Sequence, residues 1–202
     1  MPVPGYSWLA YLLAGWSGFF VMSYELLGGR VLASDFGSSV SVWGALITVF
    51  MVALSIGYLA GGTLSTRRAR LRDLGTILVL QAVTTFLSLT VSESVLDWIF
   101  AHIDDVRYGA LCAALLLFFV PTVVSGMVSP YAVRLLVTDV RESGRYAGRL
   151  LFVSTFGSAA GTIVTSFYLV LWFEVNEIIY GLSAISIVVG LAAMAKKPVS
   201  VA

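Results

Sequence analysis

Charge is what this chain has least of. Only 11% of its 202 residues are charged, where a soluble domain carries about a quarter. With 59% hydrophobic residues and a mean hydropathy of +0.96, the sequence reads as an integral membrane protein. The charge that remains nearly cancels. A formal net charge of +1 and a pI of 7.8 give no case for nucleic-acid binding, which needs a concentrated basic face.

Cysteine and histidine each occur once. Cys112 lies in an apolar run, so it forms no intrachain disulfide or thiol–metal site and reads as a small buried apolar residue. His102 has neither Cys nor paired acids at ligand spacing, which makes it a solvated polar residue rather than a metal ligand. With that one histidine in a loop, no Ser-His-acid or Cys-His set can assemble. The sequence also lacks a G-x-x-x-x-G-K-S/T loop, a G-x-G-x-x-G after a strand and an H-E-x-x-H pair. No cofactor, no metal and no enzymatic activity by this chain alone are expected. Met1 to Ser7 holds no Lys or Arg, and the apolar run after it is too long for a secretory signal. It reads as the first membrane span.

What the chain does have is apolar runs of about 20 residues, the length needed to cross a bilayer. They predict an all-α integral membrane fold: a single domain over 1–202, with spanning helices at 8–33, 40–61, 74–91, 108–130, 150–172 and 178–195. Six spans place ten of the twelve Lys and Arg on one side, in the two-three loop, the four-five loop and the tail. Only Arg30 and Arg107 fall opposite, and most acids join them there. By the positive-inside rule both termini are then cytoplasmic, in the cell (inner) membrane. Between the third and fourth spans, 93–106 reads as an amphipathic helix on the outer surface or as an ordinary packed connector.

Several residues stand out as candidates. Glu25 places a carboxylate within the first span, where an ionisable group costs a few kcal/mol and needs a partner or a water-filled cavity. Tyr24 precedes it and Arg30 is the nearest compensating charge. If the helix breaks at Gly28-Gly29, Glu25 and Arg30 can pair. If the helix runs to Ala33, the two lie about 140° apart and Glu25 needs another partner. Gly57 and Gly61, and Gly157 and Gly161, form G-x-x-x-G strips suited to close helix packing, inside the chain or between two copies. Pro121 removes a backbone donor in the fourth span, with Thr122, Ser125 and Ser129 nearby to compensate. Gly126 and Pro130 follow, so this stretch reads as a kink or hinge. Arg134, Arg141, Arg145 and Arg149 would form one cationic face if helical, facing lipid phosphates or a soluble protein.

The order of these features resembles a known family. Tyr24-Glu25 followed by Arg30, then 36–39, the run to 57–62, and the stretches 126–130 and 148–161 look like the membrane portion of spermidine synthase-like membrane proteins. Ser154 stands where that family's pattern leads one to expect Asn. Such proteins continue into a soluble aminopropyltransferase domain, whereas this sequence stops at Ala202, so the resemblance carries over a fold and no catalytic residue. The 57–72 stretch also looks like a loop of major facilitator transporters, whose halves are six-helix bundles; fold analogy alone does not give function.

Two functions are therefore expected in competition. One is a transporter-like or amine-binding module, with Glu25 as counter-charge for a polyamine and the glycine strips pairing two copies into a homodimer. The other is a non-catalytic anchor that recruits a separately encoded aminopropyltransferase or methyltransferase through the arginine face. A third, purely structural reading confines Glu25 to an ion pair with Arg30.

Overall fold

The computed structural model describes residues 7–66, 69–137 and 139–196. Among these residues the regular structure is entirely helical, as lipid demands of a backbone that must satisfy its own hydrogen bonds. Helix α1 spans Ser7–Phe36, α2 Val40–Ser65, α3 Leu71–Thr90, α4 Ser92–His102, α5 Val106–Gly126 and α6 Val128–Leu136. A 3-10 turn at Val140–Glu142 leads into α7, Ser143–Val164. A π-helical turn, Thr165–Leu169, carries α7 into the short α8, Val170–Trp172, and α9 runs Val175–Ala195.

Among the described residues five helices are long and apolar enough to cross a membrane: α2, α3, α5 with α6, α7 with α8, and α9. Helix α1 is long enough at 30 residues but is not among them. Its Ser, Gly, Trp and Tyr residues, with Glu25, Arg30 and Asp35, dilute its hydropathy. That composition suits its place. Half of α1 is buried, against α2, α5, α6, α7 and α9, whereas α7 buries only Leu150 and Gly161.

Several segment ends differ from expectation, with α1 running on to Phe36 rather than 33 and α2 to Ser65 rather than 61. Helix α3 starts at Leu71 rather than 74, and α7 at Ser143 rather than 150. The fourth span does not stop at 130 but continues as α6 to Leu136. Nor does Pro121 break its helix, since it lies inside α5. The interruption falls at Met127, whose N–H makes a tighter bond to the Val124 carbonyl at 3.2 Å. Pro130 has no N–H to offer Gly126, so the ladder fails there instead. In α4, Leu96 and Ile99 are buried while Glu93, Trp98 and Phe100 are exposed. The connector is amphipathic and also packed on α5.

Packing is pairwise: α1 lies on α7, α2 on α5, and α3 on α9. Glycines set the first two contacts. A Cβ on Gly157 would run into the Gly15 carbonyl, and one on Gly161 into that of Phe19. In the same way a Cβ on Gly57 would meet the Val123 carbonyl, and one on Gly61 that of Met127. The reverse contacts match too, because Gly18 lies on the Ser154 carbonyl as Gly126 lies on that of Leu54. Exchanging α1 with α5 and α2 with α7 thus maps one seam onto the other. Each seam joins parallel helices. Yet α1 and α5 are antiparallel, with Gly28 against Phe118 and Phe36 against Gly109. The bundle therefore consists of two three-helix units, α1-α2-α3 and α5-α7-α9, of opposite direction. Helices α3 and α9 cross where Gly75 meets Gly190.

One end of the bundle is fastened by Tyr131. Its hydroxyl accepts from the Arg70 N–H at 3.1 Å and donates to Asp73 Oδ2 at 2.9 Å, tying α6 to the start of α3. At the other end Gly37, at a φ of 74°, turns the chain from α1 into α2, where Ser39 caps the Val42 N–H.

Candidate functional site

The proline in α5 fixes the first part of the site. Pro121 cannot donate to the Leu117 carbonyl one turn back, and that carbonyl is buried among apolar side chains. Its donor comes from another helix: Ser88 of α3 gives its hydroxyl hydrogen to Leu117 O. Tyr24 of α1 in turn donates to Ser88 Oγ at 3.3 Å. The Tyr24 ring packs edge-on to Phe118 at 5.4 Å and against Phe50 at 5.9 Å. Tyr24 is therefore a strut joining α1 to α2, α3 and α5. Ser125 caps the Pro121 carbonyl at 2.8 Å.

Glu25 and Arg30 are not brought together. Helix α1 passes through Gly28-Gly29 without a break to Phe36, so the two side chains leave on different faces. Trp43 fills the space over Gly29 and Phe118 that over Gly28. Arg30 is exposed and Glu25 half-buried, and among the described residues neither makes an ion pair. Two residues before Glu25, Ser23 accepts from Thr165 Oγ1 at 2.8 Å and donates to Gly161 O at 3.4 Å. Thr165 opens the π-helical turn. Such turns loosen a helix and recur at functional sites. The unpaired carboxylate thus stands level with the π-helical turn that follows α7.

A second set of groups emerges from the helix registers. Ser88 is level with Tyr24 and Leu117. Two helical turns back from Ser88, about seven residues, lies Gln81, in the middle of α3. The same step along parallel α1 reaches Trp16 and Ser17, and along antiparallel α5 it reaches Thr122 and Ser125. From the Gly75–Gly190 crossing, the step to Gln81 places Ser183 and Ser186 of α9 at this level. The Trp16 Nε1–H bond to Ser186 Oγ at 2.8 Å confirms the alignment. A polar layer therefore crosses the bundle at mid-height, where the two units meet.

Part of that layer is unsatisfied. Both amide atoms of Gln81 and the hydroxyls of Thr85, Thr122 and Ser183 are buried with no hydrogen-bond partner. Gln81 and Thr85 have no exposed surface at all. Each such group costs about 1–3 kcal/mol. The layer has oxygens that accept and hydrogens that donate, and no charge.

The other expected residues fall elsewhere. Gly57, Gly61, Gly157 and Gly161 are occupied by packing within the chain and are not free to meet a second copy. The four arginines do not share one helix. Arg134 is on α6, Arg141 in the 3-10 turn, and Arg145 and Arg149 on α7, because the chain turns twice between them. All four are exposed, and Arg145 pairs with Glu142 at 3.5 Å. Arg67, Arg68 and Lys197 lie outside the described residues. His102 bonds locally, donating from Nδ1 to the Trp98 carbonyl at 2.7 Å. Among the described residues no cluster of metal-ligating side chains forms. Sequence reasoning missed Gln81, Thr85, Ser88 and Ser183. The signal was there in α3, where Gln81, Thr85 and Ser88 recur at steps of four and three. No family model, curated protein or solved structure matches this chain.

Proposed function

We propose that the chain is a transporter-like, six-span module of the cell (inner) membrane that binds an organic amine between its two three-helix units. The sixth span is α1, whose backbone lies against α7 along the seam from Gly15 to Phe19. Orientation rests on the positive charges. Arg70, Arg72, Arg134, Arg141, Arg145, Arg149 and Lys196 gather at one end, and Arg30 and Arg107 at the other. The richer end is cytoplasmic by the positive-inside rule, and both termini with it.

The observation that carries the reading is an unpaired carboxylate above an unpaired neutral layer. Glu25 supplies counter-charge to one ammonium of a polyamine, and about two turns lower the oxygens of Gln81, Thr85, Thr122 and Ser183 accept hydrogens from a second. Midplane sites at the interface of inverted units suit transporters in general. The resemblance of the 24–30 and 57–62 stretches to spermidine synthase-like membrane proteins points to polyamines among amines. The test is equilibrium binding of labelled spermidine to purified protein. Glu25→Gln and Gln81→Leu should each weaken it roughly tenfold or more, the loss of one charge-assisted or one neutral polar partner set. Undiminished binding in both variants removes the reading.

The exposed arginines favour a second reading, an anchor for a separately encoded aminopropyltransferase or methyltransferase. Pull-downs from native membranes, with Arg134, Arg141 and Arg145 reversed to Glu, test it. A soluble enzyme recovered only with the parent protein supports it. Recovery with neither counts against it.

A further inference from the structure

A groove of about 380 Å³ opens toward the basic end of the bundle, between the N-terminal halves of α1 and α7. Tyr11, Gly148, Arg149, Phe152 and Val153 line it. Its two polar groups are both uncommitted. The Tyr11 hydroxyl is buried with no hydrogen-bond partner, and the exposed Arg149 guanidinium has no ion pair among the described residues. By contrast Arg145, one turn earlier on the same helix, is answered by Glu142.

The rest of the groove is apolar, lined by Phe152 and Val153. Just beyond it Phe152 stacks on Phe156 at 6.1 Å, and both rings are largely exposed. This path runs from Arg149 away from the basic end toward the middle of α7. Beside it, the Lys196 ammonium lies 4.8 Å over the Trp8 ring. Trp, Tyr, Lys and Arg gathered at one helix end mark the level of lipid head groups. A cation and a hydroxyl donor at the mouth of an apolar groove match a ligand with an anionic head and a hydrocarbon tail.

We propose that this groove binds one anionic glycerophospholipid of the adjacent leaflet. Its phosphate meets Arg149, Tyr11 donates a hydrogen bond to a phosphate oxygen, and the first part of an acyl chain lies along Phe152 and Phe156. A guanidinium presents several donors to a phosphate at once and is suited to this contact. Gly148 leaves the approach to Arg149 open, since a Cβ there would meet nothing within 4 Å. The site requires α7 to stand in the bilayer. It does not require that the protein bind an amine.

The experiment is native mass spectrometry of the full chain from a neutral detergent, titrated with phosphatidylglycerol, phosphatidylcholine or inorganic phosphate. One phosphatidylglycerol should be retained per chain, phosphatidylcholine much less, and inorganic phosphate not at all. Arg149→Gln should cut phosphatidylglycerol retention about tenfold, Tyr11→Phe by a smaller factor, and Arg145→Gln not at all. Spermidine binding measured on the same samples should be unaffected by Arg149→Gln. Equal retention of both lipids, or an Arg149→Gln variant that retains phosphatidylglycerol like the parent, overturns the proposal. Capture of inorganic phosphate alone with the same Arg149 dependence overturns the lipid and leaves a simple anion site. If Arg149→Gln does not fold, Tyr11→Phe and Arg149→Lys take its place, and both must weaken retention.

Discussion

Single residues here matter through the hydrogen bonds they supply or leave unmade. Ser88 answers the carbonyl that Pro121 leaves unpaired, so the two side chains should be coupled. Ser88→Ala alone is expected to cost about 1–3 kcal/mol, the penalty of a buried orphaned acceptor. In a Pro121→Ala background the alanine N–H can reach Leu117 O, and Ser88→Ala should then cost much less. A double-mutant cycle by chemical unfolding in detergent reads this coupling, and additive effects would show that Ser88 does not serve that carbonyl. Gln81→Leu should have the opposite sign. Removing two unpartnered amide atoms stabilises the ligand-free protein while spermidine binding weakens. A Gln81→Leu protein that melts earlier without ligand would mean that the amide is bonded after all. At this scale Glu25 was legible from sequence, because a carboxylate in an apolar run is conspicuous. Gln81, Thr85 and Ser183 were not, because a neutral polar residue raises no alarm until its neighbours are known to offer it nothing.

Helices are joined here by backbone contact, and the glycines decide how close they come. Gly57→Ala and Gly157→Ala each push a methyl into a facing carbonyl and should cost about 1–3 kcal/mol. Being equivalent positions, they should cost similar amounts. Gly62→Ala and Gly181→Ala meet nothing within 4 Å and should stabilise by up to about 1 kcal/mol through helix propensity. Thermal unfolding of the four variants separates the pairs, and a neutral Gly157→Ala would refute the α1–α7 seam. The start of α5 carries a pH signature. The Arg107 side chain, and then its N–H, hold the Asp105 carboxyl at about 2, below its ordinary 3.8. Since the folded value is the lower one, this contribution is complete above about pH 5 and fades as pH falls toward 2. The difference in melting temperature between the parent and Asp105→Ala should be constant from pH 7 to about pH 5 and shrink below. A change between pH 7 and pH 5 would assign the effect to another group. The helices themselves were readable from apolar runs, but their ends were not. Apolar periodicity says nothing of Ser143-Gly144 entering α7, or of a proline rescued from another helix.

For the whole molecule, composition pointed directly to the helical class, and five of the described helices are long and apolar enough to cross a membrane. The relation between its halves did not show in the sequence, because beyond the matched glycines the two units share little. It emerged only from which carbonyl each glycine faces. On the proposed six-span reading, two units of opposite direction require α1 and α5 to cross the bilayer in opposite senses, and the mid-height site between them depends on that crossing. The direct measurement places single cysteines, in a Cys112→Ala background, at Ser7, Ser39, Thr66, Asp104, Asp139, Phe173 and Lys196. Each is then reacted in intact cells with a membrane-impermeant maleimide. Ser39, Asp104 and Phe173 positions should label from outside, and Ser7, Thr66, Asp139 and Lys196 positions only after permeabilisation. Labelling of Ser7 and Ser39 from the same side, or of Asp104 and Ser39 from opposite sides, would contradict the inverted arrangement and the site built on it.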